Sequence, residues 1–168
     1  MFTKLPTLID PERLALDNTH LQGPMPLAQM QRLGENLYDR AGNVDIDWWF
    51  FLDDQHRANV TGRLEAQLPL QCQRCLERMY WPVNLQVALT LLLPGQSEDL
   101  VPLTHEVITL TQTPVALETL IEDELILALP IVAKHEECPF NDYQLPEDAQ
   151  AEFKHQSNPF QILKKLKK

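Results

Sequence analysis

Cys72 and Cys75 stand three apart in "LQCQRCLERMYW", and His135 and Cys138 stand three apart in "KHEEC". Two residues between thiols is the spacing of a zinc knuckle, in which a tight turn aims both sulfurs at one ion. One pair cannot close a tetrahedron. Together Cys72, Cys75, His135 and Cys138 make a Cys3His set, and zinc is the cofactor such a set takes. The two pairs are far apart in the chain, so the set forms only if the second pair returns to the first turn. On the opposing reading, Cys72 and Cys75 are small half-buried turn residues, and His135 and Cys138 are incidental. A redox pair fits less well. A thioredoxin-type pair opens a helix after a parallel strand, whereas this one joins two alternating runs.

Other groups near the turn suit a different chemistry. Arg74 and Arg78 could grip a phosphate, and Tyr80 and Trp81 could stack a base. The plainer reading has Tyr80 and Trp81 opening a strand and packing at the sheet end. The run "ETLIEDEL" offers Glu118, Glu122, Asp123 and Glu124, and paired carboxylates can move protons or hold magnesium. On a helix, Glu118 and Glu122 lie one turn apart on the outer face, which reads as solvated. The sequence has no phosphate-cradling glycine loop, Gly-x-Ser-x-Gly or His-Glu-x-x-His, and we assign no catalytic residue.

Charge narrows the partners. The chain of 168 residues carries −10. Its last five residues, "KKLKK", hold four of the fourteen basic residues, leaving ten basic against twenty-four acidic residues in 1–163. Phosphate is repelled by such a body, which argues against DNA and against a broad nucleic-acid surface. A basic protein partner is favoured, since opposite charge speeds encounter. Phe160, with Ile162, Leu163 and Leu166 among Lys164, Lys165, Lys167 and Lys168, reads as a short docking motif or a local RNA contact.

Three alternating runs position the cysteine turn. Val44 to Leu52, Ala58 to Leu70 and Trp81 to Leu91 each place apolar residues at every second position. Period two with short connections predicts an antiparallel meander with one buried face. "HEVITL" at 105–110 predicts a fourth strand. Leu117, Leu120, Ile121, Leu125 and Ala128 share one stripe of a helix that follows Thr113-Pro114 and ends near Leu129-Pro130. It would cover the apolar face of the sheet. Residues 1–24 read as irregular apart from a helical turn opening at Asp10-Pro11. Leu27, Met30, Leu33 and Leu37 predict an amphipathic helix in "PLAQMQRLGENLYDR". The expected class is therefore α+β: an antiparallel meander covered by one or two helices, with irregular terminal segments. Residues 1–140 would form one domain, and 141–168 a polar linker with a basic tail. Three cysteines, no apolar leader and no run of roughly 20 apolar residues predict a cytoplasmic, non-membrane protein with reduced thiols.

Taken in order, "LQCQRCLERMYWPV", "LIEDELILALPIVAKHEEC" and "NPFQILKKLKK" resemble the YceD family, the large ribosomal RNA subunit accumulation proteins of bacteria and plastids. The likeness runs from "LPTLIDPERLA" to the last lysines. It implies a non-enzymatic ribosome biogenesis factor supporting synthesis, processing or stability of large-subunit (23S) ribosomal RNA. Its partner would be a basic ribosomal protein or a pre-ribosomal particle, with ribosomal RNA as a further contact. Some relatives carry a richer cysteine cluster where this chain has "HEECPFNDYQLP" and keeps Cys138. Two other classes stay open: a zinc-dependent structural adaptor without RNA contact, and an RNA-processing enzyme using the acidic helix.

Overall fold

The computed structural model describes residues 5–99 and 101–138. The chain divides into two units, Met1–His135 and Glu136–Lys168, and the fold described here is that of the first. The expected linker and basic tail, 141–168, lie outside the described residues.

The three alternating runs form the centre of a five-stranded sheet. They are β3 (Asn43–Leu52), β4 (Ala58–Gln71) and β5 (Arg78–Leu92), and neighbours pair antiparallel. Val44, Ile46, Trp48 and Phe50 of β3 are buried on one face, as are Val60, Leu64 and Leu68 of β4 and Val87, Leu89 and Leu91 of β5. Period two thus decides which face is core. Gly62 sits opposite Trp48, and a Cβ there would run into the Asp47 carbonyl. The close approach of β3 and β4 requires glycine at that point.

Both edges of the sheet depart from expectation. β2 (His20–Pro26) pairs antiparallel with β3, although Gly23-Pro24 reads as a break. Pro24 and Pro26 are tolerated because β2 is an edge strand, where a missing N–H breaks no ladder. Before it come β1 (Leu8–Ile9) and α1 (Pro11–Leu16), so much of the expected irregular start is ordered. The Asp10 side chain accepts the Arg13 N–H at 3.3 Å and caps α1, as the sequence predicts. α1 packs against β3 and β4. At the opposite edge, β6 (Glu106–Thr109) pairs with β5 in parallel, not as a further meander strand. A parallel neighbour needs a long return, and residues 93–105 supply it. Buried Arg57 anchors that loop, donating from Nη1 to the Ser97 and Asp99 carbonyls at 3.3 and 2.7 Å.

The amphipathic helix expected in 26–40 is a 3-10 turn at Leu27–Gln29 and a single turn, α2 (Gln31–Gly34). Its apolar residues still reach the core, with Leu27, Met30 and Leu33 fully buried. Tertiary bonds break the helix: beyond it the Tyr38 N–H donates to the Pro69 carbonyl of β4 at 2.8 Å. After Pro114, the expected first helical turn is instead β7 (Val115–Ala116), paired with β1. α3 then runs over Leu117–Leu127 and packs against α2 and β7.

The predicted stripe Leu117, Leu120, Ile121 and Leu125 is buried, but Glu122 is buried with it. That corrects its assignment to the solvated face. Glu122 Oε1 accepts the Arg32 and Leu33 N–H groups at 2.9 and 3.2 Å, and Oε2 accepts Arg32 Nε at 3.2 Å. Met30 offers α2 no side-chain cap, so a carboxylate distant in sequence satisfies the orphan donors of its first turn. We expect Glu122→Ala to cost about 3 kcal/mol and Glu122→Gln, which keeps an acceptor, about 1–2 kcal/mol, measured by urea unfolding. Equal losses would show that the carboxylate charge and acceptor are not what matters there.

Candidate metal centre

The β4–β5 hairpin closes through a tight turn held by its own backbone. Cys72 N–H donates to the Glu77 carbonyl, and Leu76 N–H donates to the Cys72 carbonyl, both at 2.9 Å. Leu76 takes a left-handed conformation with φ 63°. The chain beyond α3 returns to this turn: Gln73 N–H donates to the Ala133 carbonyl at 2.8 Å. That backbone bond delivers His135 to the cysteines, as the metal reading of the sequence requires.

Cys75 Sγ and His135 Nδ1 lie 3.4 Å apart. A tetrahedral zinc with bonds of roughly 2.3 Å to sulfur and 2.0 Å to nitrogen needs an edge of about 3.5 Å there. Within the first unit, one ligand atom from each of Cys72, Cys75 and His135 lies within 4.8 Å of the others, and Cys138, the fourth donor of the set, belongs to the second unit. The donor types fit the ion as well as the spacing does, because thiolates with one imidazole select borderline-soft zinc. Zinc would supply a structural cross-link here, with four protein donors and no position left open for substrate.

Electrostatics favour a cation at Cys72. Burial alone would push its thiol up. The N–H groups of Cys75, His135 and Arg74, together with the Cys75 side chain, outweigh burial and bring it down to about 5. The Arg74 and His135 N–H groups each stand 3.5 Å from Cys72 Sγ. N–H groups aimed at a buried sulfur stabilise its thiolate, which is the metal-binding form.

The proposed RNA-contact residues are spread out. Arg74 Nη2 donates to the His135 carbonyl at 3.3 Å, tying the turn to the returning chain. Arg78 Nη2 pairs with Asp39 at 3.1 Å and lies over the Tyr80 ring at 4.8 Å. Tyr80 is exposed, but Trp81 is half-buried and shares the inward side of β5 with buried Met79 and Val83. Successive strand residues face opposite ways, so this pair cannot clasp one base. Phe160, Lys164, Lys165, Lys167 and Lys168 lie outside the described residues. In the acidic helix, Asp123 accepts Arg32 Nη1 at 2.7 Å. Burial, reinforced by Glu106 and Asp123, pushes the Glu124 carboxyl up. Neither the Arg32–Glu122 pairing nor the Gln73–Ala133 bond follows from spacing in the sequence.

A family model described as "Large ribosomal RNA subunit accumulation protein YceD" matches residues 60–167, more than half of the chain. The chain belongs to the YceD family. A Haemophilus influenzae protein named "Large ribosomal RNA subunit accumulation protein YceD" is 28% identical over 172 residues, covering 98% of this chain and 97% of that one. No solved structure matches. The stretch matched by the YceD model includes both halves of the candidate centre, at 72–75 and 135–138.

Two outcomes follow for this YceD protein. Purified without chelator, it should carry about one zinc per chain by elemental analysis, and Cys75→Ser should carry almost none. Equal metal in both would exclude the site. In metal-free protein, Cys72 has a folded value near 5 against an ordinary 9.0. A depressed value means its stabilising contribution is complete above 9.0 and is lost as pH falls towards 5. The unfolding free-energy difference between wild type and Cys72→Ala should therefore shrink between those pH values. A constant difference would contradict the thiolate assignment.

Proposed function

We propose that this YceD protein is a non-enzymatic, cytoplasmic ribosome biogenesis factor. It supports accumulation of large-subunit ribosomal RNA by holding a basic ribosomal protein, with limited RNA contact at the hairpin turn and the terminal lysines. Family membership sets the process. The charge split supports the mode: residues 1–163 hold twenty-four acidic against ten basic residues, and four lysines crowd the last five positions. Such a body attracts a basic polypeptide and repels RNA except at local cationic points. Among the described residues, no helix is long and apolar enough to cross a membrane.

Zinc, in this reading, clasps the hairpin turn to the chain after α3 and keeps Arg74 at the tip. The knuckle also favours a second reading, a zinc-dependent adaptor with no RNA contact. A cross-linked pull-down with and without ribonuclease separates the two. Retention of a basic ribosomal protein after ribonuclease, with RNA cross-links lost on Arg74→Ala and lysine-tail variants, supports the first. Retention with no RNA cross-link supports the adaptor. Loss of every ribosomal partner after ribonuclease would overturn both in favour of direct RNA binding.

An enzyme using the acidic helix is less favoured, because Arg32 engages both Glu122 and Asp123. Glu118→Ala and Glu124→Ala should each restore ribosomal RNA levels in a deletion strain as well as wild type does. A collapse of ribosomal RNA with either variant, in protein that folds normally, would reopen the catalytic reading.

A further inference from the structure

Among the described residues, the sheet buries one face and leaves most outward residues of β2, β3 and β4 exposed or half-buried. Its middle sets two acidic residues opposite each other, one of them offset by Arg63. Asp45 and Glu65 are direct cross-strand partners in the antiparallel ladder, and like charges facing each other weaken such a pair. Glu65 receives Arg63 Nη1 at 3.3 Å and Asn84 Nδ2 at 3.2 Å. Among the described residues no cation reaches Asp45. Two adjoining depressions both open on this pair, one continuing towards Tyr80 and the other towards Asp47.

Two outward rows along, past Asp47 opposite Arg63, an aromatic platform stands on the same face. Trp49 is 51% exposed. His20 stacks flat against it, with ring centres 4.1 Å apart and planes 5° apart. His20 Nε2 lies 2.6 Å from Asp47 Oδ1, which fixes the stack. An exposed tryptophan beside carboxylates suits a guanidinium, which lies on aromatic faces and pairs with carboxylates in one pose. It suits a nucleotide poorly, since the phosphate would meet Asp45, Asp47 and Glu65.

We propose that the outward face of β2, β3 and β4 docks an arginine- and lysine-rich polypeptide segment, one cation between Asp45 and Glu65 and a guanidinium on Trp49. This deepens the reading of a basic protein partner and rests on it. The face tolerates a repulsive carboxylate pair in the unbound protein, and the partner's cation relieves it.

Anisotropy titration of the full chain with a short labelled peptide of alternating arginine and serine tests the surface. Asp45→Asn with Glu65→Gln should weaken binding about tenfold at low salt, and Trp49→Ala should also weaken it. The charge-matched control, Asp54→Asn with Glu98→Gln on exposed turns, should change it less than about twofold. The Asp45/Glu65 variant should melt close to wild type, because loss of the like-charge pair offsets loss of the exposed Arg63–Glu65 bridge. Equal loss in the control pair, or no loss in the Asp45/Glu65 pair, overturns the surface. So does an RNA oligomer whose binding falls on Trp49→Ala and rises on Asp45→Asn with Glu65→Gln. The ribonuclease-treated pull-down keeps the two ideas apart. If the basic ribosomal protein is retained by wild type and by the Asp45/Glu65 variant alike, the surface is wrong and the partner reading stands. If wild type retains none, the partner reading fails.

Discussion

The register of the β4–β5 hairpin is the constraint on which the rest depends. The ladder runs without interruption from Ala58 opposite Leu91 to Gln71 opposite Arg78. Because side chains alternate, a slip of one residue would turn Leu64, Leu68 and Leu89 outward and bring Arg63 and Glu65 into the core. Burial of the inner row therefore fixes the outer row as well. The same ladder ends where Cys72 begins, so the cysteine turn inherits its position from the core packing. Hydrophobic burial sets where the turn cysteines are, and the N–H groups of Cys75, His135 and Arg74 favour the thiolate of Cys72.

A second device locks the layers that lie off the sheet. Segment 26–40 has apolar spacing suited to a helix but forms little of one. Its short turn persists because the Glu122 carboxylate, presented by α3, completes its first-turn bonding. Arg32 in turn spans Glu122, Asp123 and the Thr119 carbonyl. Each element is too short or too poorly capped to be stable alone, and each is stabilised by the other. That mutual dependence explains an acid in the middle of an otherwise apolar helical stripe.

The sequence was informative where one periodicity persisted. The central strands were legible to within a few residues, because each is long and alternates throughout. The helix over 117–127 was legible from its stripe, and Asp10-Pro11 from capping chemistry. The candidate metal set was read from two equal spacings, and within the first unit the fold brings His135 to Cys72 and Cys75 at the hairpin tip. Failures cluster where long-range contacts decide. Gly23-Pro24 reads as a break, and only pairing with β3 makes it a strand. The parallel placement of β6 depends on Arg57 holding a distant loop. Glu122 looks solvated in any helical projection, since its partners are about ninety residues away. Spacing alone cannot show a backbone bond such as Gln73 to Ala133.

The two prolines of β2 carry a consequence for self-association. A bare sheet margin ordinarily offers an unbroken row of amide donors on which another chain can template itself, the first step towards fibrils. Here that row is interrupted at Pro24 and again at Pro26, next to Gly23. A copy of this chain cannot extend the sheet across that margin without leaving gaps in its bonding. Growth by strand addition is discouraged on that side.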